Sequence, residues 1–187
     1  DAWAAKKFDQ KWFPKIAASA LREYPPNDHS SFLQVIEWVE TADVLPPQAR
    51  LDEAFGQPPI TMFWDERFRI DVLFWHTATT GIHQHRFSGA FTLLAGSSVH
   101  SRYDFELNRS LGPALQHGNT ILRDVEVLMP GSVREIPLGR DLIHSLFHLD
   151  TPSVSVVVRA PEVADAGPEF EYKPPTLAIA PSHNNQA

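Results

Sequence analysis

The fold of this chain is decided by residues 81–96, which read GIHQHRFSGAFTLLAG. One residue separates His83 from His85, and apolar β-forming residues on both sides of the pair predict a strand. Alternate residues of a strand point to the same face, so both imidazoles can share a cation, and neutral imidazole is a common metal ligand. Two surface histidines are the alternative interpretation. The neighbouring Phe74, Trp75 and Phe87 favour an interior pair, where an unpaired polar group would be unfavourable.

Composition indicates a soluble globular chain with one main domain. The 187 residues are 43% hydrophobic and 21% charged, and the net charge is −7 with no basic block, so neither nucleic acid nor a membrane is an expected partner. No apolar run approaches the ~20 residues of a membrane span. The absence of cysteine excludes disulfides, thiolate metal sites and a cysteine nucleophile, and we predict a cytoplasmic protein. No signal peptide is recognisable, although Asp1 in place of Met is consistent with a trimmed leader.

Two regions of different periodicity follow one another. Apolar residues recur at helical spacing over residues 2–23, and Ser30 or Ser31 can cap a second helix with an apolar stripe. A linker or short third helix follows near residue 45. We therefore predict an N-terminal helical segment, residues 1–59, that packs on a β domain.

From residue 60 the chain reads as short strands separated by turns. The predicted strands cover residues 68–75, 87–94, 98–105, 121–129, 133–136, 143–149 and 154–159. This spacing predicts an antiparallel sandwich or small barrel over residues 60–162. Residues 163–187 are expected to form an extended tail that packs through Phe170, Tyr172 and Leu177 and is then disordered.

A site with two histidines needs at least one more ligand. The candidates are His76, His100, His117, His144 and His148. His144 stands out because the turn-forming residues 137–142 lead into a buried strand there. His148 shares its face but lies about 13 Å further along an ideal strand, so we assign it to the pocket wall. We expect His100 to face solvent.

The Gly-x-His-x-His strand, the glycine-closed strand after it and the Pro-x-Gly turn before a third histidine resemble the two motifs of the cupin superfamily. The carboxylate that usually follows the first motif is absent from residues 86–90. A three-histidine site with Trp75 eight residues upstream is similar to the cysteine dioxygenase and thiol dioxygenase family. The closing strand departs from it, because Ser155, Val157 and Arg159 stand where a Ser–His–Tyr series is common.

The resemblance implies a mainly β cupin double-stranded β-helix, a small barrel or jelly roll, with an N-terminal helical segment. It also implies a mononuclear non-haem Fe(II) dioxygenase or oxygenase with one iron per chain and O₂ as co-substrate, acting on a small chelating molecule such as a thiol. The metal ligands would be His83, His85 and His144, with His148 and Tyr103 as catalytic groups. The substrate-binding residues would be Arg159, Ser155, Phe87, Arg86 and Trp75.

Several alternatives stay open from the sequence. A cupin with another divalent metal could act as an isomerase or hydrolase, and a non-enzymatic cupin could bind a metal or small ligand. Arg159 could instead reach solvent or pair with an acidic neighbour, leaving Arg86 or Arg140 as the anion anchor. We expect a monomer or homodimer.

Overall fold

The computed structural model describes residues 2–48, 56–77 and 79–180. Eleven strands of this part form two antiparallel sheets. The first sheet has the order β1-β2-β9-β4-β7, and the second closes on itself in the order β10-β11-β6-β5-β8-β3. The strands are β1 (Pro59–Trp64), β2 (Arg69–Trp75), β3 (Ile82–His85), β4 (Gly89–Ala95), β5 (Ser98–Gly112), β6 (Leu115–Leu128), β7 (Val133–Ile136), β8 (Gly139–His148), β9 (Ser153–Arg159), β10 (Glu171–Lys173) and β11 (Leu177–Ile179).

The N-terminal segment is helical in separate pieces. A 3-10 turn, Ala4–Lys6, is followed by α1 (Phe13–Glu23), α2 (Pro26–His29) and α3 (Phe32–Thr41). The sequence predicted one helical period over residues 2–23, but the α-helix begins only at Phe13. Pro14 in its first turn explains this start, because proline lacks an N–H and is tolerated only there. Ser31 caps α3 in a reciprocal capping box with Gln34. Residues 42–48 are not helical, and the rest of the predicted third helix lies outside the described residues.

The first sheet is covered on both faces. Alternate residues of β9, Val154, Val156 and Val158, lie in a core cluster with Phe13 and Leu21 of α1. The intervening residues of β9 point to the interior between the sheets, where they line a cavity: these are Ser155, Val157 and Arg159. The helical segment therefore seals the back of the sheet and leaves its front to the site.

The chain after residue 162 contributes two strands to the second sheet. Strand β10 pairs with β3, and β11 pairs with β6, so the hairpin closes the ring. Phe170 and Tyr172 are buried, as the sequence predicted, and the Tyr172 hydroxyl donates a hydrogen bond to Gln84. The predicted disorder falls on residues 181–187, which lie outside the described residues. Gln84 stands between His83 and His85, so the hairpin holds the strand of the histidine pair from behind.

The architecture confirms the predicted mainly β fold, a small barrel or jelly roll with an N-terminal helical segment. The long hairpin of β5 and β6 extends well beyond the predicted strands 98–105 and 121–129. No helix in the described part of the chain is long and apolar enough to cross a membrane.

Candidate metal centre

Three histidines from two paired strands meet inside the barrel. His83 of β3 lies opposite His144 of β8 in the strand register, and His85 projects from the same face of β3. One ring nitrogen from each lies within 4.8 Å of the others, and all three side chains are buried. The Nε2 atoms of His85 and His144 are 2.9 Å apart. Two nitrogens bound at right angles to one ion, each at about 2.1 Å, lie about 3 Å apart.

The protonation of this cluster suits a cation. The Nδ1 atom of His83 lies 2.8 Å from the Gly81 carbonyl, which can only accept, so Nδ1 donates and Nε2 keeps its lone pair. Burial lowers the pKa of His83, and burial together with neighbouring histidines lowers the pKa of His85 and of His144 well below the usual range. Three neutral imidazoles therefore present lone pairs at neutral pH. Among the described residues, no carboxylate or thiolate belongs to this group.

A small cavity of about 60 Å³ lies over the histidines. This volume admits an ion and a few small groups, not a large ligand. Most of its wall is apolar, formed by Leu73, Phe87, Phe91, Ile136, Leu146 and Val157. An apolar wall excludes water and strengthens the electrostatic interactions inside.

The charged end of the cavity is formed by Arg159 and Asp71. Arg159 Nε lies 2.9 Å from Asp71 Oδ2, which is one of the alternatives that the sequence left open. Arg69 Nε lies 3.0 Å from the same oxygen, and Thr61 donates a hydrogen bond to the other carboxylate oxygen. Burial raises the pKa of Asp71, against the opposing effect of Arg69. With Asp71 ionised, two guanidiniums share one carboxylate, and the group carries net positive charge.

Trp75 forms another part of the wall and is fixed on both sides. Its indole N–H donates to Ser155 Oγ at 2.9 Å, and its ring stacks on His148 with centroids 4.7 Å apart. His148 Nδ1 lies 2.9 Å from Ser98 Oγ, and burial lowers the pKa of His148 to about 4. His148 is thus behind Trp75 and outside the three-histidine group.

Three residues that the sequence assigned to the site do not line the cavity. Arg86 lies 3.6 Å from Glu162, because it follows His85 directly and projects from the opposite face of the chain. Tyr103 packs with Ile143 and the C-terminal hairpin, on the other face of the second sheet. His148 supports Trp75, as described above. The placement of these residues does not support a direct role for them, whereas Phe87, Trp75, Ser155 and Arg159 all line the cavity.

The expectation that His100 faces solvent is wrong. Its side chain is 1% exposed, and Nε2 lies 2.9 Å from His144 Nδ1. On the other side, Nδ1 lies 3.1 Å from Glu126 Oε1. The prediction relied on the charged Arg102 and Asp104, which share a strand face with His100, but β5 runs from a covered to an open part of the sheet. His100 pairs with Glu126 across the hairpin of β5 and β6, and three register shifts lie between this pair and the turn at residues 113–114, so the turn alone does not reveal the pairing.

Glu169 is a second group that the sequence did not indicate. It precedes β10 in the chain, and its Oε1 lies 4.0 Å from His85 Nδ1. Burial raises the pKa of this carboxyl to about 7, with a contribution from Glu162. His85 thus faces the carboxyl group of Glu169 directly, and His144 faces that of Glu126 through His100.

Comparisons with known proteins give matches of structure only. The sequence matches no protein family and no curated protein. A DMSP lyase, DddQ from Ruegeria pomeroyi, superposes with a TM-score of 0.46 at 14% identity, over 81% of this chain and 74% of that chain. A structure from a study of the DMSP lyases RdDddP and RnDddQII gives a TM-score of 0.45 at 15% identity, over 86% and 78%. Hydroquinone 1,2-dioxygenase from a Sphingomonas species gives a TM-score of 0.43 at 13% identity, over 60% and 71%.

Proposed function

We propose that this chain is a mononuclear non-haem Fe(II) oxygenase that acts on a small chelating substrate, with a thiol as the first candidate. The observation that carries the proposal is the convergence of three buried neutral imidazoles on a small apolar cavity. Imidazole nitrogens suit iron, zinc, copper and nickel, so the donor set fits a transition metal. Because neutral ligands leave the ion its full charge, an anionic chelating group such as a thiolate is favoured beside it.

His83, His85 and His144 would hold the ion, one per chain. Bound Fe(II) would supply electrons for O₂ and a template on which the substrate is oriented. The cavity wall would keep water away from the reacting groups, with Trp75 held in place by Ser155 and His148. Arg159 would face an acidic group of the substrate, since a guanidinium matches a carboxylate in a planar fork.

The first prediction tests the metal ligands. His83→Ala, His85→Ala and His144→Ala should each lower the metal content of purified protein sharply, because a two-ligand site holds an ion poorly. His148→Ala is the matched control on the same strand as His144, and it should retain metal. Metal analysis of protein from its native host, with circular dichroism as a check of folding, gives the readout. Full metal content in all three variants would contradict the proposal.

The reaction itself is tested with an oxygen electrode and a panel of thiols. Iron together with substrate-dependent O₂ uptake is the expected result. A zinc hydrolase is the second candidate, because three histidines with one open position are also a ligand set of catalytic zinc. Zinc or manganese without O₂ uptake would favour that candidate or an isomerase, and weak occupancy by any metal would favour a binding protein.

A further inference from the structure

A chain of hydrogen-bonding side chains connects the cavity to the outer surface. His144 directs Nε2 towards His85, and its other nitrogen, Nδ1, lies 2.9 Å from His100 Nε2. His100 Nδ1 in turn lies 3.1 Å from Glu126 Oε1, and Arg134 Nε lies 2.7 Å from that same oxygen. His100 and Arg134 line an outer groove that does not include His144. The chain therefore crosses the second sheet from one side to the other.

The chemistry of the groups fixes the direction of each hydrogen bond. The Arg134 guanidinium holds the pKa of Glu126 at about 2, so this carboxylate only accepts. His100 must then donate from Nδ1, and with a neutral ring its Nε2 accepts. His144 consequently donates from Nδ1 and keeps the lone pair on Nε2, the atom that lies 2.9 Å from His85 Nε2. The opposite order would place a hydrogen on the atom that has to bind the ion.

His83 and His144 differ in the groups that hydrogen-bond to their Nδ1 atoms. His83 is oriented by a backbone carbonyl at 2.8 Å, which a side-chain substitution cannot remove. His144 depends on side chains from three strands, β5, β6 and β7, and these end in a charged pair. Outer partners of this kind orient a ligating imidazole and make it a better donor, and their loss typically weakens metal binding 10- to 100-fold.

We propose, on the basis of the three-histidine metal site, that His100 and Glu126 are positioning residues that hold His144 with Nε2 towards the ion. His100 contributes the contact, and Glu126 sets the direction of the hydrogen bonds. Arg134 keeps Glu126 in place through two hydrogen bonds. None of these three residues touches the cavity, so their effect would reach the site only through His144.

The test uses Co(II) alone as the probe, with the full-length chain. Glu126→Gln and His100→Leu should each weaken Co(II) binding by about 10- to 100-fold and change the visible absorption spectrum of the remaining complex. His100→Gln should recover much of the affinity, since its amide can accept from His144 and donate to Glu126. Asp124→Asn is the matched control, because it breaks an exposed ion pair with Arg102 on the same two strands. It should leave both affinity and spectrum unchanged.

Unchanged Co(II) affinity and spectrum in Glu126→Gln and His100→Leu, with binding lost in His144→Ala, would overturn the positioning role and leave the metal site intact. Failure of the wild-type chain to bind Co(II) would overturn both. If the variants do not fold, nitrogen NMR of the wild-type metal-free chain decides the question. The inference requires that His144 carries its hydrogen on Nδ1, and a hydrogen on Nε2 would overturn it.

Discussion

At the scale of single residues, the ion pair of Arg159 with Asp71 allows a specific test of whether Arg159 binds the substrate. Asp71 is shared by Arg159 and Arg69 at nearly equal distances, yet of these two only Arg159 also lines the cavity over the three histidines. The two arginines therefore make a matched pair of probes, in which one lines the cavity and the other does not.

Arg159→Met should raise the KM for an acidic substrate about 10- to 100-fold, with metal content unchanged. The reason is the loss of a charge-assisted pair worth about 1.5–3 kcal/mol. Steady-state kinetics supply the measurement once a substrate is found. Arg69→Met also removes one partner of Asp71 and should leave KM close to that of the wild type. Equal KM values in all three proteins would show that Arg159 serves only its pair with Asp71.

His148 should make the fold sensitive to acid. Burial lowers its pKa to about 4, against about 6.5 in the unfolded chain, so between these values the unfolded chain binds more protons. The free energy of unfolding should therefore fall as pH drops from about 6.5 towards 4, by up to about 3 kcal/mol from this residue.

Urea unfolding of His148→Asn at pH 7 and pH 5 measures this contribution. Asparagine can keep the hydrogen bond to Ser98 but does not titrate, so the variant should lose less stability between the two pH values than the wild type. His76→Asn is the control, because it makes the same substitution at an exposed histidine. An identical pH dependence in His148→Asn and the wild type would refute the assignment.

At the scale of elements, the hairpin of β10 and β11 supports the strand that bears the histidine pair. The Tyr172 side chain is 1% exposed, and its hydroxyl donates to Gln84, which lies between the two histidines. Tyr172→Phe should lower the free energy of unfolding by about 1–3 kcal/mol, because it leaves a buried amide oxygen without its donor.

The measurement for Tyr172→Phe is urea unfolding, with Tyr24→Phe, at an exposed tyrosine, as the control. Metal content should stay at the wild-type level in both variants, since neither touches the ligands. A loss of stability in Tyr24→Phe as large as in Tyr172→Phe would show that the hydrogen bond is not the cause.

Elements with a clear residue pattern could be predicted from the sequence, and elements held by distant pairing could not. Strand β7 matches its prediction at Val133–Ile136, where turn residues bound a short run. Strands β10 and β11 are three residues each, and they exist because β3 and β6 offer them hydrogen-bonding partners. The far halves of β5 and β6 are polar and mostly exposed, so their sequence shows no alternation of apolar and polar residues. Cross-strand hydrogen bonds extend both strands beyond the predicted ends.

The same division holds within the candidate site. The spacing of His83 and His85 on one strand identifies this pair from the sequence. His144 could be selected among five candidates only because a turn leads into its strand. His100 and Glu126 belong to neighbouring strands whose register depends on the turn between them, and Asp71 and Arg159 meet across β2 and β9. The first contact depends on register shifts within one hairpin and the second on the pairing of two distant strands, and no local residue pattern encodes either.

At the scale of the whole molecule, a bound ion should stabilise the fold. A metal that binds the folded chain at a hundred times its Kd adds about 2.7 kcal/mol to the free energy of unfolding. Urea unfolding with and without Co(II) should show this gain in the wild type and lose it in His144→Ala. An equal gain in both proteins would place the bound ion elsewhere, for example on exposed histidines.

The closed ring of the second sheet also determines the order in which parts of the protein can fold. His85 and His144 are 59 residues apart, and Gln84 and Tyr172 are 88 residues apart. Contacts between such distant segments carry a large loop-closure entropy and form after local hairpins such as β5–β6. The three imidazoles therefore converge only when most of the barrel exists. A polypeptide still being synthesised would lack this site. The metal would therefore bind only to a nearly folded protein, and the ions available at that stage would determine which metal is bound.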